Sequence, residues 1–531
     1  MMRAGCLVRQ MKKYTLGLAF FILGVLYLLR IGTPTDSCAF GWDNSEYIVL
    51  AKSLAVGQGL RMINEPDAPF SAFYPVGYPA LLSAIWRFMP FDLLSEHTLR
   101  AFCYLSCVAC LVSLYLSFRI FLRYLSYPLS VILTLLLGIS PELVTLAGSI
   151  WSECLFTVWV VGAVLLIKLA EDSSVRQSGK SYRFVFVCAS ACAGFSMLTR
   201  TAGVAVIAGV LLFLLVKDRK RAAFFLIIAG SVVSPFILWK AMNVMQGGYL
   251  RWAWAHYAWQ VPFRNAAQLP QYFAKLLFPP MFTSSGQFIL ESYHLSVLST
   301  TIAALLGIIF CIGLFRLIQG KDVIAYTLLC YIAMVIFYPW EPDRFMLPIN
   351  TLIVVSFIQG VSGLIVKFTS RHRAVCLLSL VFVICFSGSA IVNYRRVRNV
   401  YLYGDAGGKK QAERWKEFKG NLQWIKENTA PDSVIVTTLA AGTYLLTGRK
   451  TIQARATAKQ VAEAIAKVDI TASSLYLFAY DTITIDGQIR SESLDPLNEW
   501  LAVPGNSDKV KLVWKSPCCN NVIYQVVRYE R

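Results

Sequence analysis

The sequence predicts a polytopic α-helical membrane protein of about eleven spans carrying a C-terminal extracytoplasmic α/β domain. Three observations predict it. Hydrophobic residues make up 56% of the 531 and charged residues only 15%, with a mean hydropathy of +0.56. Average usage is nearer about 45–50% apolar and ~25% charged, and a soluble chain cannot hide the excess. Apolar runs close to the bilayer's length recur as far as residue 393, and beyond about 399 the pattern changes to short helical and strand-like segments.

The first span is 14–31. Lys12 and Lys13 followed by an apolar run mimic a signal peptide, but no small-x-small cleavage site follows, so the segment is read as an uncleaved span. Further spans fall at 98–118, 129–148, 153–170, 183–198, 202–216, 222–243, 295–315, 323–339, 346–366 and 374–393. Pro141, Glu142 and Glu153 interrupt the stretch 129–170.

Loop charges set the orientation. With Arg3, Arg9, Lys12 and Lys13 in the cytoplasm, every second loop there is basic: Arg119 and Arg123; Lys168, Arg176, Lys180 and Arg183; Lys217, Arg219, Lys220 and Arg221; Arg316 and Lys321; Lys367, Arg371 and Arg373. An odd span count puts the C-terminal domain outside. Tyr394-Arg395-Arg396-Val397-Arg398 opposes this, being basic on the outer side, although a long following domain crosses regardless of such charge. The implied location is the inner (plasma) membrane of a bacterium. The opposite loops, 32–97 and 244–294, gather acidic and aromatic residues.

The balance of 50 Lys+Arg against 30 Asp+Glu, or +20, would suggest nucleic acid in a soluble chain. Here it matches cytoplasmic loops and lipid phosphates, and neither zinc-like Cys/His spacing nor a nucleic-acid fold signature is present. The partner is the lipid bilayer, not nucleic acid. Of 14 cysteines, nine lie in apolar stretches and act as small hydrophobes. Cys38, Cys518 and Cys519 lie in water-facing segments, where free thiols compete with a Cys38 disulfide to one of the pair.

The region 399–531 reads as an amphipathic helix at 411–428, a buried strand at 433–438, a turn at Thr447 to Lys450, a helix at 457–468, and strands at 474–480, 509–515 and 522–529. It contains neither GxGxxG nor a P-loop, so no nucleotide cofactor is expected.

The first outer loop carries the chemistry. Gly41-Trp42-Asp43-Asn44-Ser45-Glu46-Tyr47 leads into an amphipathic run ending at Gly57 and Gly59, and Tyr74-Pro75-Val76-Gly77-Tyr78-Pro79 follows. Two short Gly/Pro-bounded helices would lie in the interface. Asp43 at a cavity mouth suits a general base, because partial desolvation raises a carboxyl pKa toward working pH. Asp43 also suits a divalent metal cation, or an N-cap with Glu46 three residues on. Glu153 is either a second acidic site residue or a partner for a helix dipole. Arg251-Trp252-Ala253-Trp254-Ala255-His256-Tyr257-Ala258-Trp259 is either an interfacial belt or a stacking site for sugar or lipid containing His256.

Taken in order, these motifs resemble the C-type (GT-C) membrane glycosyltransferases, in the branch of the protein O-mannosyltransferases and the lipid A aminoarabinose transferase. The resemblance rests on Asp43 with Tyr47, Gly57-Gln58-Gly59, and Tyr74 to Pro79. It continues through Pro141 with Ser152-Glu153, Leu198-Thr199-Arg200, Arg344-Phe345-Met346-Leu347-Pro348, and Trp424-Ile425 with Tyr444 to Arg449. It covers nearly the whole chain. One departure is Asn44 after Asp43, where many mannosyltransferases carry an acidic pair. The resemblance implies transfer of a sugar from a polyprenyl-phosphate-linked donor to a lipid, glycan or protein acceptor on the outer face. It implies Asp43 and Glu153 as catalytic acidic residues, Arg200 and Arg344 as phosphate clamps, and Glu46, Tyr47, Tyr74, Tyr78 and His256 in substrate binding. Both arginines, at span ends, also suit snorkelling to headgroups. A transporter and a non-catalytic scaffold using residues 399–531 are the alternative classes. Transporters place ionisable residues near mid-membrane and show internal repeats, neither of which is visible here.

Overall fold

The computed structural model describes residues 2–31, 42–71, 73–88, 96–172, 179–243, 257–277, 296–340, 342–368, 388–403, 408–454, 458–466, 474–479, 482–483, 489–490, 494–515 and 521–527. The chain forms two units. One comprises Met1–Ile31, Ala72–Tyr78 and Cys103–Val397; the other comprises Gly32–Ser71, Pro79–Phe102 and Arg398–Arg531.

In order, the helices are α1 (Met2–Arg30), α2 (Trp42–Ala55), α3 (Gly77–Trp86), α4 (Glu96–Phe121), α5 (Tyr127–Gly138), α6 (Pro141–Ala147) and α7 (Ser152–Ala170). There follow α8 (Gly179–Thr199), α9 (Gly203–Lys217), α10 (Arg219–Asn243), α11 (Val261–Leu277), α12 (Ser296–Gln319), α13 (Val323–Ile336), α14 (Asp343–Met346), α15 (Asn350–Phe368) and α16 (388–403). Among the described residues, six helices are long and apolar enough to cross a membrane. Residues 14–30 of α1, together with α9 and α13, are shorter apolar helices.

The interrupted stretch at 129–148 is a bent pair, α5 and α6, meeting at 66°. Pro141 opens α6, and the Ser140 hydroxyl caps it by accepting from the Leu143 N–H at 3.4 Å. Of the expected last span, 374–387 lies outside the described residues. α16 runs on to 403, and the Arg396 guanidinium donates to the Pro141 carbonyl and the Thr145 hydroxyl, both at 2.7 Å. The basic cluster past the last span is therefore tied into the α6 turn at Arg396.

Small residues let the spans approach closely, the usual device where lipid supplies no hydrophobic drive. A Cβ on Gly313 of α12 would lie 1.7 Å from the Ser356 carbonyl oxygen of α15. A Cβ on Gly209 of α9 would lie 2.5 Å from Thr327 Cα of α13. At the Arg123 end of this unit, the basic loop residues are paired. Arg123 holds Asp172 with two bonds at 3.0 and 2.7 Å, and Lys168 meets Asp322 at 2.7 Å. Lys217 and Arg221 share Glu171. Acidic residues are thus not confined to the opposite end, as the loop reading suggested, because these staple neighbouring helices together.

In the second unit, α17 (Lys409–Asn428) precedes β1 (Val434–Thr437), α18 (Ala440–Thr447), β2 (Lys450–Gln453), α19 (Ala458–Ala466) and β3 (Leu475–Ala479). Then come β4 (Thr482–Ile483), β5 (Ile489–Arg490), α20 (Leu494–Leu501), β6 (Val510–Lys515) and β7 (Val522–Val526). The main sheet has the order β2-β1-β3-β7-β6, parallel through its first three strands and antiparallel beyond. Alternation along β1 sends Val434 and Val436 toward Val461, Ile465 and Trp500, and Ile435 toward Phe418, Leu422 and Ile425 of α17. Helices thus cover both faces. The helix at 411–428, the helix at 457–468 and the strands appear where expected. The turn at 447–450 is the left-handed Gly448 (φ 74°) closing α18. α18, β2 and α20 were not foreseen, being short and weakly patterned.

In α2, every residue from Asn44 to Ala51 is buried. The expected amphipathic interfacial helix is instead buried on all sides.

Candidate functional site

Within the first unit, three of the expected residues converge. Trp151 takes an extended conformation at the start of α7, which puts Ser152 and Glu153 in the first turn, where a carboxylate is favoured by the helix dipole. Glu153 is 1% exposed. Its Oε1 accepts from Arg200 Nη1 at 2.9 Å and also from Arg344 Nε. Arg200 Nη1 lies 2.9 Å from the Ser152 hydroxyl as well. Arg200 and Arg344 are 13% and 29% exposed, so the group is only partly shielded. Two guanidiniums thus share one carboxylate oxygen.

Aromatic faces back both arginines. Arg344 lies 3.9 Å from the Trp151 ring centroid and Arg200 lies 5.6 Å from that of Phe345, within cation–π reach. Trp151 was missed by sequence reasoning; its only signal is a Trp directly before a helix whose first turn is acidic.

Local packing fixes each arginine. Arg200 follows α8 and its N–H still donates to the Ser196 carbonyl at 2.9 Å. The chain then reverses so tightly that a Cβ on Gly203 would lie 2.2 Å from the Met197 nitrogen. Gly77 seats on this same end of α8: a Cβ on it would lie 2.7 Å from the Leu198 carbonyl oxygen, so only glycine fits. Tyr78 is buried and Tyr74 half-buried.

Arg344 lies on α14, one turn long. The segment before it is gripped by α11, a helix in what the sequence suggested was simply the second outer loop. The Asn265 amide lies 3.1, 3.3, 2.7 and 3.1 Å from the carbonyl oxygens of Val335, Ile336, Tyr338 and Trp340. Lys275 pairs with Asp343 at 2.8 Å, and the Tyr272 hydroxyl donates to Asn350 at 2.6 Å. The Tyr331 hydroxyl donates to the Phe345 carbonyl at 2.9 Å. Asn265 was also missed, since a single Asn in an amphipathic helix gives no sign of the turn it will clamp.

Asp43, Glu46 and Tyr47 belong to the second unit, on α2. Asp43 is half-buried and is the second residue of the helix. It therefore sits inside the first turn rather than at the N-cap position before it. Glu46 and Tyr47 are buried. His256, Glu341, Cys38, Cys518 and Cys519 lie outside the described residues.

Among the described residues, no three His, Cys, Asp or Glu side chains come together as a metal site. A cation placed on Glu153 would face two guanidiniums, so this cluster does not suit a divalent metal and no step is routed through one. Two guanidinium forks held in place with aromatic backing are groups able to bind an anion such as phosphate.

Neither a protein-family model nor a curated protein sequence matches the chain. Solved structures do. ArnT from Cupriavidus metallidurans in the apo state is 13% identical, with a TM-score of 0.59 over 99% of both chains. The same protein bound to undecaprenyl phosphate gives 0.57 over 96% of this chain and 97% of that one, again at 13% identity. The archaeal oligosaccharyltransferase AglB from Archaeoglobus fulgidus, in complex with an inhibitory peptide and a dolichol-phosphate, gives 0.54 at 13% identity, over 90% of this chain and 74% of its own. The chain therefore shares the fold of these two proteins, a multi-pass helical domain with a C-terminal sheet domain.

Proposed function

We propose that this chain is a glycosyltransferase that moves a sugar from a polyprenyl-phosphate-linked donor to a lipid, glycan or protein acceptor on the outer face of the membrane. The observation that carries the reading is the Arg200–Glu153–Arg344 cluster, in a fold shared with proteins solved with undecaprenyl phosphate and dolichol-phosphate.

The chemistry follows from what must be stabilised. An acceptor hydroxyl or amine attacks the anomeric carbon. The bond from that carbon to the phosphate oxygen breaks, and the lipid phosphate leaves with the electron pair. Charge grows on the phosphate while the sugar gains oxocarbenium character. Arg200 and Arg344 meet the growing charge with guanidinium N–H groups that stay protonated. Glu153 holds both guanidiniums in place, so its part is to orient the clamp. Asp43, a half-buried first-turn carboxylate, takes the acceptor's proton. Glu46, Tyr47, Tyr74, Tyr78 and His256 are assigned to substrate binding. The basic loops face the cytoplasm and residues 399–531 lie outside it.

The test is transfer of radiolabelled sugar in liposomes, with a panel of hexosyl and pentosyl polyprenyl phosphates and extracted envelope acceptors. Label reaching an acceptor with wild type but not with Asp43→Asn supports the reading. If no donor in the panel is turned over by folded protein, it fails.

A further inference from the structure

The second unit contains both α2, which carries Asp43, and the C-terminal sheet. The connection between them is specific. α2 is followed by Gly57 and Gly59, both in the left-handed region (φ 79° and 78°), and the Ser53 hydroxyl donates to the Gly59 carbonyl at 2.8 Å. The chain then doubles back: the Met62 N–H donates to the Pro69 carbonyl and the Ser71 N–H to the Leu60 carbonyl, both at 2.8 Å. The tip of this excursion docks on β2, at the edge of the sheet. The Thr451 N–H donates to the Asn64 carbonyl at 2.7 Å, and the Asn64 amide donates to the Thr451 hydroxyl at 3.1 Å. The Lys450 ammonium donates to the Ile63 carbonyl at 2.8 Å. Asn64 and Thr451 are both buried. Higher up, the Lys52 ammonium of α2 lies 5.3 Å from the Tyr444 ring centroid of α18. The excursion closes a sheet edge that would otherwise offer unpaired backbone groups.

From this we infer that the C-terminal domain works as the mount for the Asp43 helix, with Asn64 and Thr451 as positioning residues; the inference rests on the assignment of Asp43 as the base. The lever arm is short and stiff. Asp43 and Lys52 are nine helical residues apart, ~13 Å at ~1.5 Å per residue. A tilt of about 5° about the pinned end moves Asp43 by ~1 Å, and a misplacement of that size costs on the order of 100-fold in rate. The domain thus needs no substrate contact of its own to govern turnover.

The experiment uses full-length protein in liposomes, with Thr451→Val, Thr451→Ser, Asn64→Ala and Lys450→Met. Thr451→Val keeps the shape and removes the hydroxyl; Thr451→Ser restores it. Transfer kinetics and backbone hydrogen exchange of α2 are measured together. The expected result is faster exchange across α2 and a kcat lowered ~10- to 100-fold in Thr451→Val and Asn64→Ala. The donor KM stays within about twofold, and Thr451→Ser recovers toward wild type. Should Thr451→Val fail to fold, Lys450→Met carries the same test by removing only the ammonium contact. Unchanged exchange in α2 overturns the mount. So does faster exchange with full kcat in a protein whose Asp43→Asn variant is inactive. Asp43→Asn also reports on the base assignment alone: full activity there removes Asp43 from the reaction whatever α2 does.

Discussion

Replacing Glu153 with Gln keeps the side chain's size and one acceptor oxygen but removes the charge that two guanidiniums share. The two guanidiniums lose the carboxylate charge that they share. At ~4 Å and an effective dielectric of about 20, each ion pair is worth ~4 kcal/mol before desolvation. Breaking a buried pair by removing one partner costs ~3–5 kcal/mol. Arg344 at 29% and Arg200 at 13% exposure are partly screened, which lowers the expected loss to about 2–4 kcal/mol. Thermal unfolding in detergent reads this directly. A domain of ~150–250 residues moves about 2–4 °C per kcal/mol and a larger unit moves less, so a fall of several degrees is expected. The second arm adds polyprenyl phosphate. Without the carboxylate that orients the two guanidiniums the clamp grips the lipid anion less well, so the midpoint rises less on lipid addition in Glu153→Gln than in wild type. The reasoning is refuted if the variant melts with wild type, or if lipid phosphate stabilises it as much as wild type.

Four other outcomes follow. Arg344→Lys keeps the charge but loses the planar fork, and kcat/KM for the donor should drop ~10- to 100-fold; a steady-state titration of donor that finds wild-type kcat/KM counts against the clamp. Asn265→Ala frees the turn before Arg344, leaving buried carbonyls short of a donor at a cost of ~1–3 kcal/mol. It should raise the donor KM more than it lowers stability, and equal donor KM values in the two proteins would show that the turn holds itself. Gly77→Ala pushes a methyl into the Leu198 carbonyl and should cost ~1–3 kcal/mol, measured as a lowered unfolding midpoint. Asp322→Asn breaks the Lys168 pair at the opposite end of the spans, where both side chains are about 15% exposed. It should destabilise by ~2–4 kcal/mol while the folded fraction transfers sugar at the wild-type rate; a selective loss of turnover would mean this end also serves the reaction.

Much of the architecture was legible because apolar length and strand or helix period are local properties. The long apolar helices, the break at Pro141 and the buried strand at Val434–Thr437 need only neighbours along the chain to be read. The same holds for Glu153, Arg200 and Arg344 as candidates: charged residues at the ends of apolar runs stand out against their surroundings. Short elements were not legible. Lys450–Gln453 has no apolar pattern of its own and becomes a strand because β1 lies beside it. The buried character of α2 was misread as amphipathic, since burial on every side depends on what packs around the helix.

What the sequence by itself determined is the kind of protein and its inventory: a helical membrane chain with a sheet domain, and a list of ionisable groups at span ends. Tertiary structure decided which of them work together. Glu153, Arg200 and Arg344 are 47 and 144 residues apart along the chain, and only the packing of α7, α8 and α14 brings two guanidiniums onto one carboxylate oxygen. Asn64 and Thr451 are separated by 387 residues, and only the fold docks the first loop on the edge of the C-terminal sheet. A side chain's type is written in the sequence, but its electrostatic partner is set by contacts between distant segments, and no local pattern encodes those.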